Sequence, residues 1–184
     1  VNRFLTNKRH PLDTREIAAR TFDEYYQTCA RLVERFGRTR LVTDLTADDF
    51  GFFRAVLAAK FGPVRWGNEI KRVRTIFKFA HDSGLIGNPT RFGPGFKRPS
   101  RKVLRLARAA KAAQMFEAQE IHAMLKAAIQ PLGTMILLGI NNGLGHADCA
   151  GLSQSHLDLD GEWLNYPRLR TGIARRCALW PQTV

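Results

Sequence analysis

The stretch from Leu85 to Pro99 constrains this chain more than any other. It reads L-I-G-N-P-T-R-F-G-P-G-F-K-R-P. Its prolines lack the backbone N–H that a helix or a central strand needs, and its glycines raise the entropic cost of any regular element. Little regular structure is predicted there, and the stretch reads as a linker. The chain is thereby divided into residues 1–86, a basic linker over 87–113, and residues 114–184. At 184 residues two small domains are within what the length allows.

The first part has the spacing of amphipathic helices. Residues 1–12 have no sustained stripe and read as a frayed arm. From Asp13 or Thr14 a helix is expected, with Ala18, Phe22, Tyr25, Cys29, Leu32 and Phe36 on one face and Gly37 as its stop. Thr46 caps a second helix whose opening Asp48 and Asp49 suit the positive end of its dipole. Phe50, Phe53 and Leu57 form its core face. After Gly62-Pro63 a third helix runs to about Ser83, burying Trp66, Ile70, Val73, Phe77 and Ala80. Lys71, Arg74, Lys78 and His81 repeat that 3–4 spacing one position later, so a basic row lies beside the buried one and faces outward.

Charge is concentrated rather than spread. Lys60 to Lys111 holds 14 Lys and Arg against two acids, a balance of +12 out of a net +13. Residues 1–59 balance at +2 and residues 112–184 at −1. Such a block attracts a polyanion, and duplex DNA or RNA is the commonest soluble one. A solubilising face or a ribosome-type basic tail is the alternative. Residues Ser100 to Ala113, with Arg101, Lys102 and Arg105, are expected to become helical against DNA. Lys97 and Arg98 join the same candidate surface. No apolar run approaches a membrane span, and no secretory core opens the sequence. The three cysteines are widely spaced, which reads as reduced thiols and gives no metal-ligand pattern.

Beyond the linker, Glu117 to Ile129 predicts a helix. Pro131 opens another that is apolar nearly all round through Ile140 and is therefore expected to be buried. Asn141-Asn142-Gly143 ends it, and His146 to Leu152 forms a short helix. Asp158 to Gly161 is a turn. Glu162–Tyr166 and Ile173–Leu179 are expected to pair as strands across Pro167–Gly172.

The order N-N-G-L-G-H-A-D-C-A-G-L, D-L-D-G and L-R-T-G-I-A-R-R-C-A-L resembles the opening half of the tyrosine recombinase (phage-type integrase) catalytic domain. The resemblance extends to the helical first part with its basic third helix. It implies a mainly α fold: a helical N-terminal core-binding bundle over 1–86, a linker, and over 114–184 a partial α+β catalytic domain with a β-hairpin. It implies DNA strand cleavage and rejoining in DNA integration, with duplex DNA as partner, self-association on DNA, no cofactor and no metal. The expected location is cytoplasmic, with the nucleoid. Family motifs place a catalytic Lys at Arg170 and the first catalytic Arg at Gly145, which has no side chain. Arg170 keeps the charge, but a guanidinium holds its proton at neutral pH and is a poor proton donor. Asp148 reads equally as an orienting carboxylate or as a helix cap. His146, beside the vacant Arg position, is a weaker phosphate candidate. Tyr25, Tyr26 and Tyr166 are the only tyrosines, and none has the nucleophile's context. The pattern stops at Val184 before the family's later His, Arg and Tyr, so a truncated, catalytically incomplete chain is expected. A stand-alone DNA-binding regulator on the same scaffold and an RNA-binding basic protein are the rival readings.

Overall fold

The computed structural model describes residues 1–111, 115–168 and 171–183. The chain divides into two compact units, Val1–Ala112 and Ala113–Val184.

Five helices make the first unit: α1 (Asn2–Asp13), α2 (Ala19–Phe36), α3 (Ala47–Lys60), α4 (Pro63–Asp82) and α5 (Arg101–Ala109). Residues 1–12, expected to be frayed, are helical. Phe4 is buried and meets Tyr25 and Phe79 edge to face, with ring centroids 5.2 and 5.4 Å apart. The Phe4 ring, with Leu5 packed beside it, thus anchors a mostly polar segment, which a search for a repeating stripe does not register. Asp13 and Thr14 end α1 instead of opening α2, and Arg15 turns the chain in the left-handed region. Gly37, at φ 83°, stops α2 as expected.

Helix α3 begins at a reciprocal cap. The Thr46 hydroxyl accepts from the Asp49 N–H at 3.3 Å, and the Asp49 carboxylate accepts from the Thr46 N–H at 2.9 Å. Arg40 binds the same carboxylate, and this contact brings the Asp49 pKa down to about 2. Phe50, Phe53 and Leu57 of α3, and Trp66, Ile70, Val73, Ile76 and Phe77 of α4, form the core with Cys29 and Leu32 of α2. Burial raises the Cys29 thiol to about 11, so it stays a neutral core group.

The stretch expected to link two domains is irregular but packed. Phe96 is 0% exposed, and Phe92 lies parallel to it with centroids 5.4 Å apart. Both rings contact Phe50, at 5.4 and 4.8 Å. Gly93 has φ +71° and lies so close to Ala47 that an added Cβ would come within 2.6 Å of that residue's methyl. The glycines and prolines therefore shape a path over the core instead of loosening the chain, and the first unit extends through α5. Helix α5 is capped by Ser100, whose hydroxyl accepts from the Val103 N–H at 3.3 Å. It packs on α4.

The second unit holds α6 (Ala118–Ala127), α7 (Leu132–Asn142), α8 (His146–Gly151) and the strands β1 (Leu157–Asp158), β2 (Trp163–Asn165) and β3 (Arg176–Ala178). The strands form one antiparallel sheet in the order β1-β2-β3, with Leu164 opposite both Leu157 and Cys177. The expected hairpin is β2–β3, and β1 is an added strand whose short apolar content hid it. The expected Asp158–Gly161 turn joins β1 to β2, with the Gly161 N–H donating to Asp158 at 2.9 Å. Helix α7 departs from expectation. Leu138 and Asn142 are its buried residues, while Leu132 and Ile140 are 51% and 41% exposed. One face meets a small core of Leu138, Leu144, Leu164, Tyr166 and Leu179, too small to surround a helix that is apolar all round.

The packed role of the 85–99 stretch is testable by truncating its deepest ring. Phe96→Ala should destabilise the chain by about 3–5 kcal/mol in urea unfolding, as for other core aromatics. A cost within about 0.5 kcal/mol would be that of a surface residue in a linker.

Candidate nucleic-acid interface

Helix α4 positions the row read from the sequence, but its members are not equivalent. Lys71 is exposed. Arg74 is committed to the fold: its Nη2 donates to the Phe96 carbonyl at 2.7 Å, and its guanidinium lies 4.7 Å from the Phe92 ring centroid. Lys78 pairs with Asp82 at 2.5 Å across one helical turn, and His81 Nδ1 stands 3.7 Å from the same carboxylate. The Lys78 ammonium holds the Asp82 carboxyl below its ordinary value, with a smaller contribution from His81. Among the described residues, the row therefore presents one lysine without a carboxylate partner, one exposed arginine bonded to the 85–99 stretch and one local ion pair.

The stronger cationic surface lies further along. Lys97 and Arg98 are exposed immediately after the Phe96 anchor, and the Lys97 carbonyl is held by Arg54 at 2.9 Å. Arg101, Lys102 and Arg105 are exposed on α5, together with Arg108, which the sequence reading left out of the candidate set. Among the described residues, none of these six side chains pairs with a carboxylate. Because α5 packs on α4, the cations of both helices belong to one folded unit. Such unpaired groups suit phosphate oxygens, which Arg and Lys bind without reading sequence.

Other cations of the basic block are absorbed elsewhere. Arg72 is bonded to Glu69 and Glu24, and Arg65 lies over the Phe61 ring at 4.2 Å. A count of charges along the sequence cannot separate these from exposed ones.

In the second unit, Arg170 lies outside the described residues. Gly145 begins α8, and its N–H, the one group it has to offer, donates to Asp148 at 3.1 Å. Arg175, from the segment leading into β3, brings Nη2 to 3.8 Å from that same Asp148 oxygen. The cation nearest Asp148 therefore comes from the hairpin, a proximity that no local spacing displays. His146 opens α8 at the surface. Tyr166 is 1% exposed, edge to face with His156 at 4.8 Å, and its hydroxyl is sealed in the core. A buried phenol of this kind is closed to a phosphodiester.

No family model matches the chain, and no curated protein matches its sequence. Solved structures do match its fold. Against a lambda integrase(75-356) dimer bound to a COC' core site, the TM-score is 0.67 at 15% identity, covering 97% of this chain and 59% of that one. Against a lambda integrase tetramer bound to a Holliday junction it is 0.68 at 15% identity, covering 96% and 50%. The chain thus spans between half and three-fifths of those integrase chains. At such identity the likeness is one of architecture, and it agrees with the resemblance carried by the motifs: the chain has the tyrosine recombinase (integrase) fold.

Proposed function

We propose that this chain binds duplex DNA as part of an integrase-type recombination system, gripping the backbone with the cationic surface of its first unit. The observation that carries the reading is the set of exposed, carboxylate-free cations on and before α5: Lys97, Arg98, Arg101, Lys102, Arg105 and Arg108. They are fixed on a fold that, in lambda integrase, is found on DNA. Lys71 extends the surface along α4. Lys78 and His81 contribute less, because Asp82 answers them. Each phosphate contact releases condensed counterions, so affinity falls steeply with salt. Lambda integrase occurs on its DNA as dimers and tetramers, which supports self-association of this chain on DNA.

Strand cleavage is not assigned to these 184 residues. Covalent transfer to a tyrosine needs an accessible phenol and donors around the phosphorane oxygens. Tyr166 is buried, and Gly145 has neither a side chain nor an uncommitted N–H. The same features favour, as a second reading, a DNA-binding regulator on this scaffold. Selection from a random duplex library separates the two: the recombinase reading expects paired, inverted half-sites, whereas a single operator-like site supports the regulator.

Changing Arg101, Lys102 and Arg105 together to Gln should lower the slope of log K against log salt by about two to three units, at roughly 0.9 per phosphate. An unchanged slope removes α5 from the interface. Arg74→Gln should instead lower the urea midpoint, since a charged hydrogen bond to a partly buried carbonyl is worth about 1.5–3 kcal/mol. On a nicked duplex that traps a phosphotyrosyl intermediate, the chain should leave no adduct after denaturation. An adduct abolished by Tyr166→Phe would mean that the buried tyrosine emerges to act as nucleophile.

A further inference from the structure

Helix α3 is apolar on both of its sides, and only one of them is buried. Phe50, Phe53 and Leu57 enter the core. At about 100° per residue, Phe52, Ala55, Val56 and Ala59 fall on the opposite side. All four are exposed, Phe52 by 58% and Val56 by 41%. The Arg35 guanidinium lies 4.3 Å from the Phe52 ring centroid, yet more than half of that side chain remains open. The outer side of a surface helix ordinarily carries polar residues, and a contiguous apolar strip there marks a contact surface.

The charges at the ends of the strip select its occupant. Asp48 is exposed in the first turn and Lys60 in the last, and among the described residues neither is in an ion pair. An acid at one end and a cation at the other suit a second α3 running the opposite way. Asp48 of each copy then lies by Lys60 of the other, and the two helix dipoles oppose. Small side chains at Ala55 and Ala59 let the two helices approach closely. Phosphates take cations and have no use for such a strip. It also lies in residues 1–59, where 10 Lys and Arg meet 8 acids, a balance of only +2. Two copies of a chain with net charge +13 therefore repel least on this side of the sequence.

We propose that two copies of this chain pair through the outer sides of α3, antiparallel about a two-fold axis beside position 54. This deepens the self-association proposed above and rests on it. Such a pair is isologous, and two DNA-binding surfaces related by a two-fold axis meet inverted half-sites. The strip is about 21 Å long and about 10 Å wide, far below the roughly 800 Å² per partner of a stable complex. The pair is therefore weak in solution and gains from two copies being held on one DNA.

Cysteine cross-linking of the whole chain tests the pairing without DNA and traps a weak complex. Ala55→Cys places a thiol beside the axis, and Ala30→Cys, exposed on α2, is the control for random collision. The unsubstituted chain, whose Cys29 is buried and whose Cys149 and Cys177 are half-buried, serves as the blank. With diamide as oxidant, the Ala55→Cys chain should form disulfide-linked dimer about tenfold faster than the control, because pairing holds the two thiols together. Adding Phe52→Glu should bring it down to the control rate, and Val56→Glu should do the same, each checked for folding by circular dichroism. Asp48→Lys should slow the reaction, and Lys60→Asp added to it should restore the rate, because each end again meets its opposite. Equal rates at the two cysteines overturn the proposal. So does a dimer that persists in the folded glutamate variants, or a charge swap without recovery. Duplex binding read by fluorescence anisotropy separates this inference from the DNA-binding reading. Normal DNA binding without the α3 cross-link overturns this inference alone, and the cross-link in a chain that binds no duplex overturns the DNA-binding reading alone.

Discussion

A buried carboxylate, Glu69, fixes how the first unit is assembled. It is 2% exposed on α4, and three donors reach it: the Thr28 hydroxyl at 2.9 Å, Arg31 at 3.2 Å and Arg72 at 3.1 Å. Arg72 also binds Glu24, so α2 supplies Glu24, Thr28 and Arg31 while α4 supplies Glu69 and Arg72. A buried charge without partners costs several kcal/mol, so α2 and α4 are held in the one register that satisfies it. That register sets where everything else on α4 points. Lys71, two residues after Glu69, is turned about 200° away and faces solvent. The face that joins α2 and the exposed face that carries Lys71 are thus two sides of one helix, and the inner one orients the outer.

The aromatic cluster does for the 85–99 stretch what Glu69 does for α2. Phe50 of α3 is surrounded by Phe36, Phe77, Phe92 and Phe96, with centroids 4.8–5.6 Å apart. Most of this was legible: Phe50, Phe53, Leu57, Trp66, Ile70, Val73 and Phe77 were read from periodicity, and all are buried. Phe92 and Phe96 were not, because nothing periodic surrounds them and the intervening glycines and prolines are read as punctuation. Composition says that a segment is irregular. It does not say whether irregular backbone lies on the core or away from it. Phe4 and α1 teach the same lesson at the N-terminus, since one buried ring carries no period.

Charge was legible in total and illegible in detail. The basic block is real, but its members serve three different ends. Arg72 neutralises a buried acid, Arg65 and Arg74 lie on aromatic faces, and the cations from Lys97 to Arg108 remain in solvent without carboxylates. Helical spacing gave equal weight to Lys71, Arg74, Lys78 and His81, because it locates a side chain on a face and leaves its partners unknown. Asp82 was counted in the block's balance, yet its effect is local: it answers Lys78 and His81 and leaves α5 untouched. Among the described residues, the exposed cations without a carboxylate partner accordingly lie on and before α5 more than on α4. There the Ser100 cap and packing on α4 hold the helix.

In the second unit Asp148 stands where the start of α8 meets the hairpin. As the third residue of α8 it accepts the Gly145 N–H, which is the capping role. The same carboxylate oxygen stands 3.8 Å from Arg175 Nη2. Arg175 in turn reaches the Tyr166 and Asn142 carbonyls at 3.5 and 3.4 Å, long for hydrogen bonds but convergent. Asn141 and Asn142 complete the tie by donating to the Ala178 carbonyl of β3. The end of α7, the start of α8 and the hairpin are therefore joined around one acid and one arginine. A side chain at position 145 would find open space, with Asp148 alone nearby at 3.8 Å. The local framework of caps and ties thus stands without a side chain at position 145.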